Sequence, residues 1–545
     1  MRSTMQDVPL ETRRLLEHGA SVHGLSRLVT AVPGGLRSIT YGEVGANAAR
    51  LAGALARLGV RPGDRVATFM WNNQQHVEAY FAVPCMGAVI HPLNIRLAPE
   101  QVTFIANHAE DGVVIVDGSL LPVFGPLLPT FKTITHVVVN GPADAAALDA
   151  LTAGGASVSV LDYAELIRHE PDSYPWPEID ERDAAAMCYT SGTTGDPKGV
   201  VYSHRSLYLH AMSLALPESF NLSARDRVLA VVPQFHVMAW GLPYAAFLTG
   251  ASLAMPDRFL APAPLAEFIG HAKPNRAAGV PTIWQGLLQH VTANPDVDIS
   301  SLTEAIVGGS ACPPALMDAY DELHGISLVH AWGMTEMSPL GSVSRPPAGV
   351  DEEQARRYRL SQGRFPAAVQ ARLVGPDSSV LPHDGHSAGE LEVRGPWITG
   401  SYYRDNDPDK FHDGWLRTGD VGVITPDGYL TLTDRAKDVI KSGGEWISSL
   451  ELENHLMAHP AVQEAAVIGV PDERWGERPL ATVVAETGVS FAELRDFLAD
   501  RVPKWQLPER WTRLAEVPKT SVGKFDKKAL RQRHANGELD VHLLA

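Results

Sequence analysis

At 545 residues the chain is long enough for more than one domain, and a hydrophobic share of 45% supplies ample core. A formal net charge of −17 argues against a nucleic-acid partner, which calls for basic stripes; to hold an anionic ligand, such a protein must gather its positive charge locally. Three widely spaced cysteines, Cys85, Cys188 and Cys312, make neither a disulfide framework nor a metal cluster. They read as small buried apolar residues and fit a reducing cytoplasm.

Residues 1–19 carry charges throughout and hold no apolar core of signal-peptide type. Helical spacing over 41–59, a strand at 65–69, a helix at 75–86, a strand at 88–92, a helix at 101–109 and a strand at 112–116 then alternate. Alternating helices with continuous apolar strands mean a parallel sheet covered on both faces. The stretch 228–255 has no formal charge, but Pro233, Gln234, His236 and Pro243 interrupt it, so no integral membrane span is expected. It reads as a buried strand at 228–232, a loop, a buried helix at 240–248 and a strand at 252–255. A strand at 276–280 leads to a helix at 281–288, and a strand at 303–307 ends at Gly308-Gly309-Ser310. After Pro366 the segments 369–373, 389–394, 420–424 and 429–433 are short, turn-bounded and alternating, as in an antiparallel sheet.

A second domain is expected to begin near residue 435, giving 1–434 and 435–545. Ser448 and Ser490, each followed by a glutamate three residues on, read as capping boxes. Strands at 465–470 and 480–485 and a helix at 491–501 complete a small α+β unit. The fold class is α/β: a large N-terminal domain of doubly covered sheets with a barrel-like antiparallel part, and a small α+β C-terminal domain.

Several stretches point to chemistry. Residues 189–200 read Tyr-Thr-Ser-Gly-Thr-Thr-Gly-Asp-Pro-Lys-Gly-Val. Glycines let backbone N–H groups approach an anion, while the hydroxyls of Thr190, Ser191, Thr193 and Thr194 and the Lys198 ammonium add donors. The ligand this suits is a polyphosphate. The stretch is not a Walker A loop, because Pro197 precedes the lysine and a strand, not a helix, follows. Residues 330–336, His-Ala-Trp-Gly-Met-Thr-Glu, follow a strand at 327–329 and set an aromatic face beside a carboxylate. Gly308–Ala311 ends a parallel strand, where α/β ligands dock. Residues 415–420 read Trp-Leu-Arg-Thr-Gly-Asp, residues 441–448 Lys-Ser-Gly-Gly-Glu-Trp-Ile-Ser, and residues 518–524 Pro-Lys-Thr-Ser-Val-Gly-Lys. Residues 234–240, Gln-Phe-His-Val-Met-Ala-Trp, lie on the uncharged stretch, where a core histidine and a core tryptophan are the ordinary alternatives.

In this order and at this spacing, these motifs resemble the adenylate-forming superfamily of acyl-CoA synthetases, luciferases and peptide-synthetase adenylation domains, over nearly the whole chain. The string at 441–448 looks like the fatty acyl-CoA synthetase branch, including enzymes for methylthio-substituted propionate. The resemblance implies that Thr190, Ser191, Gly192, Thr193, Thr194, Gly195 and Lys198 hold the phosphates of ATP. It implies that Glu336 and Thr190 ligate Mg²⁺, a hard cation that keeps waters and takes few protein groups. Gly309, Ser310, His330, Ala331, Trp332, Gly333 and Thr335 would lie around adenine and the acyl group. Asp420 and Arg435 would take the ribose. His236, with Val237 beside it, would sit next to the bound carboxylate, and Trp240 would gate an acyl tunnel. Lys524 would be the adenylation lysine. Lys437, Lys441 and Trp446 carry over as nucleotide contacts, and Gly443 and Gly444 as the backbone lining the pantetheine channel of CoA. The segment His330-Ala331-Trp332-Gly333-Met334 departs from the tyrosine-bearing version common in long-chain enzymes.

The expected reaction joins a fatty acid, ATP and CoA to give acyl-CoA, AMP and diphosphate. The acid is expected to be medium- to long-chain, with a short substituted acid such as 3-methylthiopropionate as the alternative. Lys524 and the 441–446 segment share one small domain yet serve different steps, so that domain is expected to rotate about Lys437. An acyl-AMP ligase feeding a carrier protein, a luciferase-type oxygenase and a non-catalytic nucleotide-binding homologue are the rivals. The resemblance admits a homodimer formed through the N-terminal domain.

Overall fold

Neighbouring residues of one strand feed two different cores. In Asp111–Asp117, Val113 and Ile115 pack with Leu51, Leu55 and Tyr80, whereas Val114 and Val116 pack with Ile105, Phe124 and Leu127. A strand covered on both faces has no polar side to show, hence the continuous apolar run in its sequence. The computed structural model describes residues 1, 3–153, 158–190, 196–405, 407–435, 438–443, 445–521 and 523–544, without the side chains of residues 152, 153, 435 and 446. Within it, a large N-terminal domain of sheets is followed by a small C-terminal domain.

One sheet of the large domain runs, in spatial order, Ser159–Asp162, His136–Asn140, Asp111–Asp117, Arg65–Phe69, Val89–Pro92, Ala184–Tyr189 and Gly199–Ser203. All neighbours are parallel except the last two strands. That last pair is antiparallel, and the glycine-rich stretch joins its two strands in the sequence. A second parallel set runs Ser252–Met255, Arg227–Ala230, Arg276–Gly279, Glu304–Val307 and Ser327–Gly333. Its alternate residues also divide: Ile306 faces the core shared with the first sheet, while Ala305 and Val307 join Trp284 and Tyr320 on the outer side.

The strand Ser327–Gly333 belongs to two sheets. Val329 and His330 pair in parallel with Ile306 and Val307, whereas Ala331 pairs antiparallel with Val343. Beyond it every pairing is antiparallel, through Gly363–Arg364, Tyr429–Arg435, Trp415–Ile424, Gly389–Arg394 and Gln370–Val374. The strand therefore carries the residues 330–333 across the junction between the parallel and antiparallel parts. In the C-terminal domain, strands between Ile440 and Leu543 form a separate sheet. The helices Ser449–Met457 and Phe491–Ala499 bury Leu452, Leu456, Leu494 and Leu498 against it, in clusters drawn from this domain alone.

Three local expectations are corrected. The buried helix does not begin at Trp240. Val237, Met238, Ala239 and Trp240 all have left-handed backbone, with φ of 37, 49, 52 and 53°, and the α-helix runs Leu242–Thr249. Each L-residue in that region costs roughly 1–2 kcal/mol, which burial of Met238, Ala239 and Trp240 helps offset. The strand expected at 327–329 extends to Gly333. The two expected capping boxes are half-formed: the Ser448 and Ser490 hydroxyls accept from the N–H of Glu451 and Glu493, but no return bond from either glutamate is found among the described residues. Cys85, Cys188 and Cys312 are free and buried. Among the described residues no helix is long and apolar enough to cross a membrane.

Candidate active site

The hairpin Ala184–Tyr189/Gly199–Ser203 is closed at its loop end by Thr190. Its N–H donates to the Lys198 carbonyl at 2.9 Å, and its hydroxyl accepts from the Lys198 N–H at 3.2 Å. Ser191, Gly192, Thr193, Thr194 and Gly195 lie outside the described residues. The Lys198 ammonium reaches Asp407 Oδ2 at 2.6 Å and Asp405 Oδ2 at 3.2 Å, and lies 4.9 Å from the centre of the Tyr402 ring. The bond to Asp407 is the main cause that holds its pKa above the usual lysine value.

Glu336 follows the junction strand in a short 3₁₀ turn, Thr335–Met337, and is 5% exposed. Tyr402 donates its phenol O–H to Oε1 at 2.6 Å, and the Glu336 carbonyl accepts from the Thr399 N–H at 2.8 Å. Trp332 donates its indole N–H to Asp420 Oδ2 at 2.8 Å, so the aromatic face and the second carboxylate are fixed as a pair. Asp420 follows Gly419, which takes φ of 78°, and its own N–H donates to the Thr418 hydroxyl. His330 is buried, which pushes its imidazole down to about 4.

At the end of Glu304–Val307, Gly309 turns with φ of 84°. A methyl added there would stand 3.2 Å from Val280 Cγ1 and 3.4 Å from Lys524 Cε. Lys524 thus arrives from the C-terminal domain with its stem laid across this turn. Its loop is a tight one: Thr520 N–H donates to the Lys524 carbonyl at 2.7 Å, and Gly523 N–H to the Thr520 carbonyl at 2.9 Å. His236 stands near Lys524 and Arg96. Burial, reinforced by those two charges, pushes its imidazole down to about 3, so the ring is neutral at pH 7. The Trp240 ring packs against the same glycines, within 3.3 Å of a methyl placed on Gly308.

A single cavity of about 970 Å³ is lined by Thr190, Lys198, Glu336, Asp420, His236, Val237 and Lys524. Trp240, Gly309, Ser310, Thr335 and the run His330, Ala331, Trp332, Gly333 complete the expected residues on its wall. Lys198, Lys410 and Lys524 line it among acidic side chains that include Glu336, Asp407 and Asp420, so the local excess of positive charge expected of a net-acidic chain is not found along its wall. Its volume is at the upper end of small-molecule sites. Leu214, Phe220, Leu316 and Leu340 give it an apolar wall.

A sequence profile described as AMP-binding enzyme matches residues 17–403, and one described as AMP-binding enzyme C-terminal domain matches residues 451–524. The chain belongs to the AMP-binding enzyme family. This AMP-binding enzyme is 42% identical, over 97% of its own length and 98% of the relative's, to the 3-methylmercaptopropionyl-CoA ligase of Ruegeria lacuscaerulensis. It is also 42% identical to the medium-chain-fatty-acid–CoA ligase of Ectopseudomonas oleovorans, over 96% of this chain and 95% of that one. Among solved structures it resembles the anthranilate CoA ligase AuaEII in complex with anthranoyl-AMP, with a TM-score of 0.87 at 26% identity, covering 98% of this chain and 100% of that one. It is an AMP-forming acid–CoA ligase acting through an acyl-adenylate.

Not every expected residue of this AMP-binding enzyme meets at the cavity. Lys441 is exposed on the strand Ile440–Ser442 and does not line it, nor does Gly443, whose N–H donates to the Trp475 carbonyl at 2.8 Å. Lys437 and Gly444 lie outside the described residues, as do the side chains of Arg435 and Trp446. Sequence reasoning missed Tyr402, which lies between Lys198 and Glu336, and Asp405 and Asp407, which pair with Lys198. They sit in an irregular loop with no periodicity, and the one usable signal was a buried-type aromatic amid polar residues.

Proposed function

We propose that the enzyme activates medium-chain fatty acids with MgATP and transfers them to CoA. The cavity's apolar wall of Trp240, Leu214, Phe220, Leu316 and Leu340 suits an alkyl chain. The equal 42% identity to a 3-methylmercaptopropionyl-CoA ligase, together with Trp332 at the adenine-side position, favours 3-methylthiopropionate as the second reading.

The observation that carries the mechanism is the convergence of Lys524, Lys198, Glu336 and Asp420 on one cavity from both domains. In the first step the substrate carboxylate attacks the α-phosphorus of ATP, forming the acyl–phosphate bond and releasing diphosphate. Lys524 stabilises the charge that shifts between carboxylate and bridging oxygen, a preorganised contribution worth roughly 10²–10³ in rate. Lys198, with the 190–195 loop, holds the β- and γ-phosphates. Asp420 accepts from the ribose hydroxyls and Trp332 lies along adenine. Neutral His236 stands beside the acid without adding a charge to it. The buried Glu336 carboxylate and the Thr190 hydroxyl are hard oxygen donors of the kind that hold Mg²⁺ together with substrate phosphates; bound there, Mg²⁺ supplies charge neutralisation. In the second step the CoA thiolate attacks the acyl carbon, forming the thioester and releasing AMP.

The distance of Lys441 and Gly443 from the cavity fits a C-terminal unit, residues 435–545, that turns about Lys437 to present them for the second step. We further propose a cytoplasmic enzyme that associates as a homodimer. A panel of acids of rising length, with 3-methylthiopropionate included, assayed for CoA-dependent AMP release, tests the substrate. An optimum near eight to ten carbons, roughly, supports the medium-chain reading; preference for acetate or for 3-methylthiopropionate overturns it.

A further inference from the structure

We propose that Thr282 and Asn94 are positioning residues that dock the Lys524 loop onto the large domain and so select the adenylating arrangement. The proposal rests on the reading of Lys524 as the adenylating lysine. The loop makes its own shape but not its own address. Thr520 closes it internally, accepting the Lys524 N–H on its hydroxyl at 3.2 Å as well as exchanging the two backbone bonds described above. Two side chains of the large domain then reach it from opposite sheets.

Thr282 stands in the first turn of the helix Pro281–Ala293, just past the strand Arg276–Gly279. Its hydroxyl donates to the Gly523 carbonyl at 3.1 Å. Gly523 takes φ of 82°, and a methyl there would lie 3.3 Å from that same hydroxyl, so the glycine admits the close approach. Asn94 follows the strand Val89–Pro92 of the other sheet. Its Oδ1 accepts the Arg96 N–H at 3.0 Å, which fixes the amide so that Nδ2 donates to the Ser521 hydroxyl at 3.0 Å. The loop therefore bridges the ends of two parallel strands, and Lys524 extends from it over Gly309. Both bonds must break for the C-terminal domain to turn, so their strength biases the arrangement toward the first step. A group that favours only one of two arrangements shifts the population between them by its differential interaction.

Thr282→Val removes one donor, and Ser521→Ala removes the partner of Asn94 without disturbing the Asn94–Arg96 turn. Each is expected to slow acid-dependent diphosphate release roughly 3- to 10-fold, the net worth of one hydrogen bond, and the double variant roughly 10- to 100-fold. CoA transfer from supplied acyl-AMP is expected to stay at or above the wild-type rate, and Thr282→Ser, which keeps the hydroxyl, to restore the first step. Unchanged diphosphate release, an equal fall in both half-reactions, or a Thr282→Ser protein as slow as Thr282→Val would overturn the docking role. Lys524→Ala is measured alongside. If it still adenylates, the reading of Lys524 fails; if it does not while Thr282→Val and Ser521→Ala behave as wild type, only the docking proposal fails.

Discussion

Gly309→Ala is the sharpest probe of how the two domains meet. The backbone there has φ of 84°, where an L-residue with a side chain costs roughly 1–2 kcal/mol. The added methyl would also stand 3.2 Å from Val280 Cγ1 and 3.4 Å from Lys524 Cε, with Trp240 Cζ2 at 3.9 Å. Val280 is buried between the strand Arg276–Gly279 and the helix Pro281–Ala293, so the lysine stem, the more flexible neighbour, gives way by a few tenths of an ångström. A reacting group displaced by about 1 Å can lose about 10²-fold in rate; for this smaller shift a loss of roughly 10-fold in diphosphate release is expected. CoA transfer from supplied acyl-AMP, which meets the Gly309 turn but does not use Lys524, is expected to fall by less than diphosphate release does. Both half-reactions would be followed on protein shown to be folded by circular dichroism. A Gly309→Ala enzyme that adenylates at the wild-type rate, or one that loses both steps alike, would refute the packing of Lys524 on this turn as the cause.

Lys524→Ala should abolish acid-dependent diphosphate release and leave most of the transfer from supplied acyl-AMP to CoA, measured in the same pair of assays. Tyr402→Phe strips a buried carboxylate of a charge-assisted bond worth about 1.5–3 kcal/mol; MgATP-dependent turnover should fall by about tenfold or more, and calorimetric MgATP affinity should weaken, whereas unchanged affinity would detach Tyr402 from Glu336's role. His236, pushed down to about 3, stays neutral from pH 5 to 9, roughly, so the pH–rate profile should carry no limb near 6.5 that disappears in His236→Gln. His76 is buried in the core and pushed down to about 4 by desolvation. The unfolded chain takes up that proton near pH 6.5 while the folded one resists until about 4. Stability should therefore be flat above pH 6.5 and fall on acidification, by about 2 kcal/mol from this residue at pH 5. A thermal midpoint that is the same at pH 5 and pH 7.5 would contradict this.

Much of the parallel architecture was legible because burial on two faces leaves an unmistakable apolar run. The strand Arg65–Phe69 begins and ends where the sequence analysis places it. The helix start at Trp240 failed for a physical reason. Periodicity registers which face is apolar, and Val237–Gly241 is apolar throughout, so nothing in the pattern distinguishes a right-handed turn from a left-handed one. Gly241 at φ of 75° and Pro243 just beyond it mark the boundary of the helix. The strand through His330–Gly333 was cut short because it changes sheets there: pairing is parallel up to His330 and antiparallel from Ala331, and such a segment shows neither alternation nor a continuous run. Lys198, Glu336 and Asp420 could be picked out by residue type and order. The contacts of Lys198 with Asp405 and Asp407 and of Glu336 with Tyr402 could not, since those residues approach only in three dimensions.

The account turns on a carboxylate oxygen joining the α-phosphorus of ATP. Incubating the enzyme with octanoate labelled with ¹⁸O in its carboxyl group, MgATP and CoA, and weighing the products by mass spectrometry, tests this directly. The account predicts AMP carrying one ¹⁸O in its phosphate, in equal amount with the octanoyl-CoA formed. Unlabelled AMP beside octanoyl-CoA, or ADP and phosphate in its place, would contradict it.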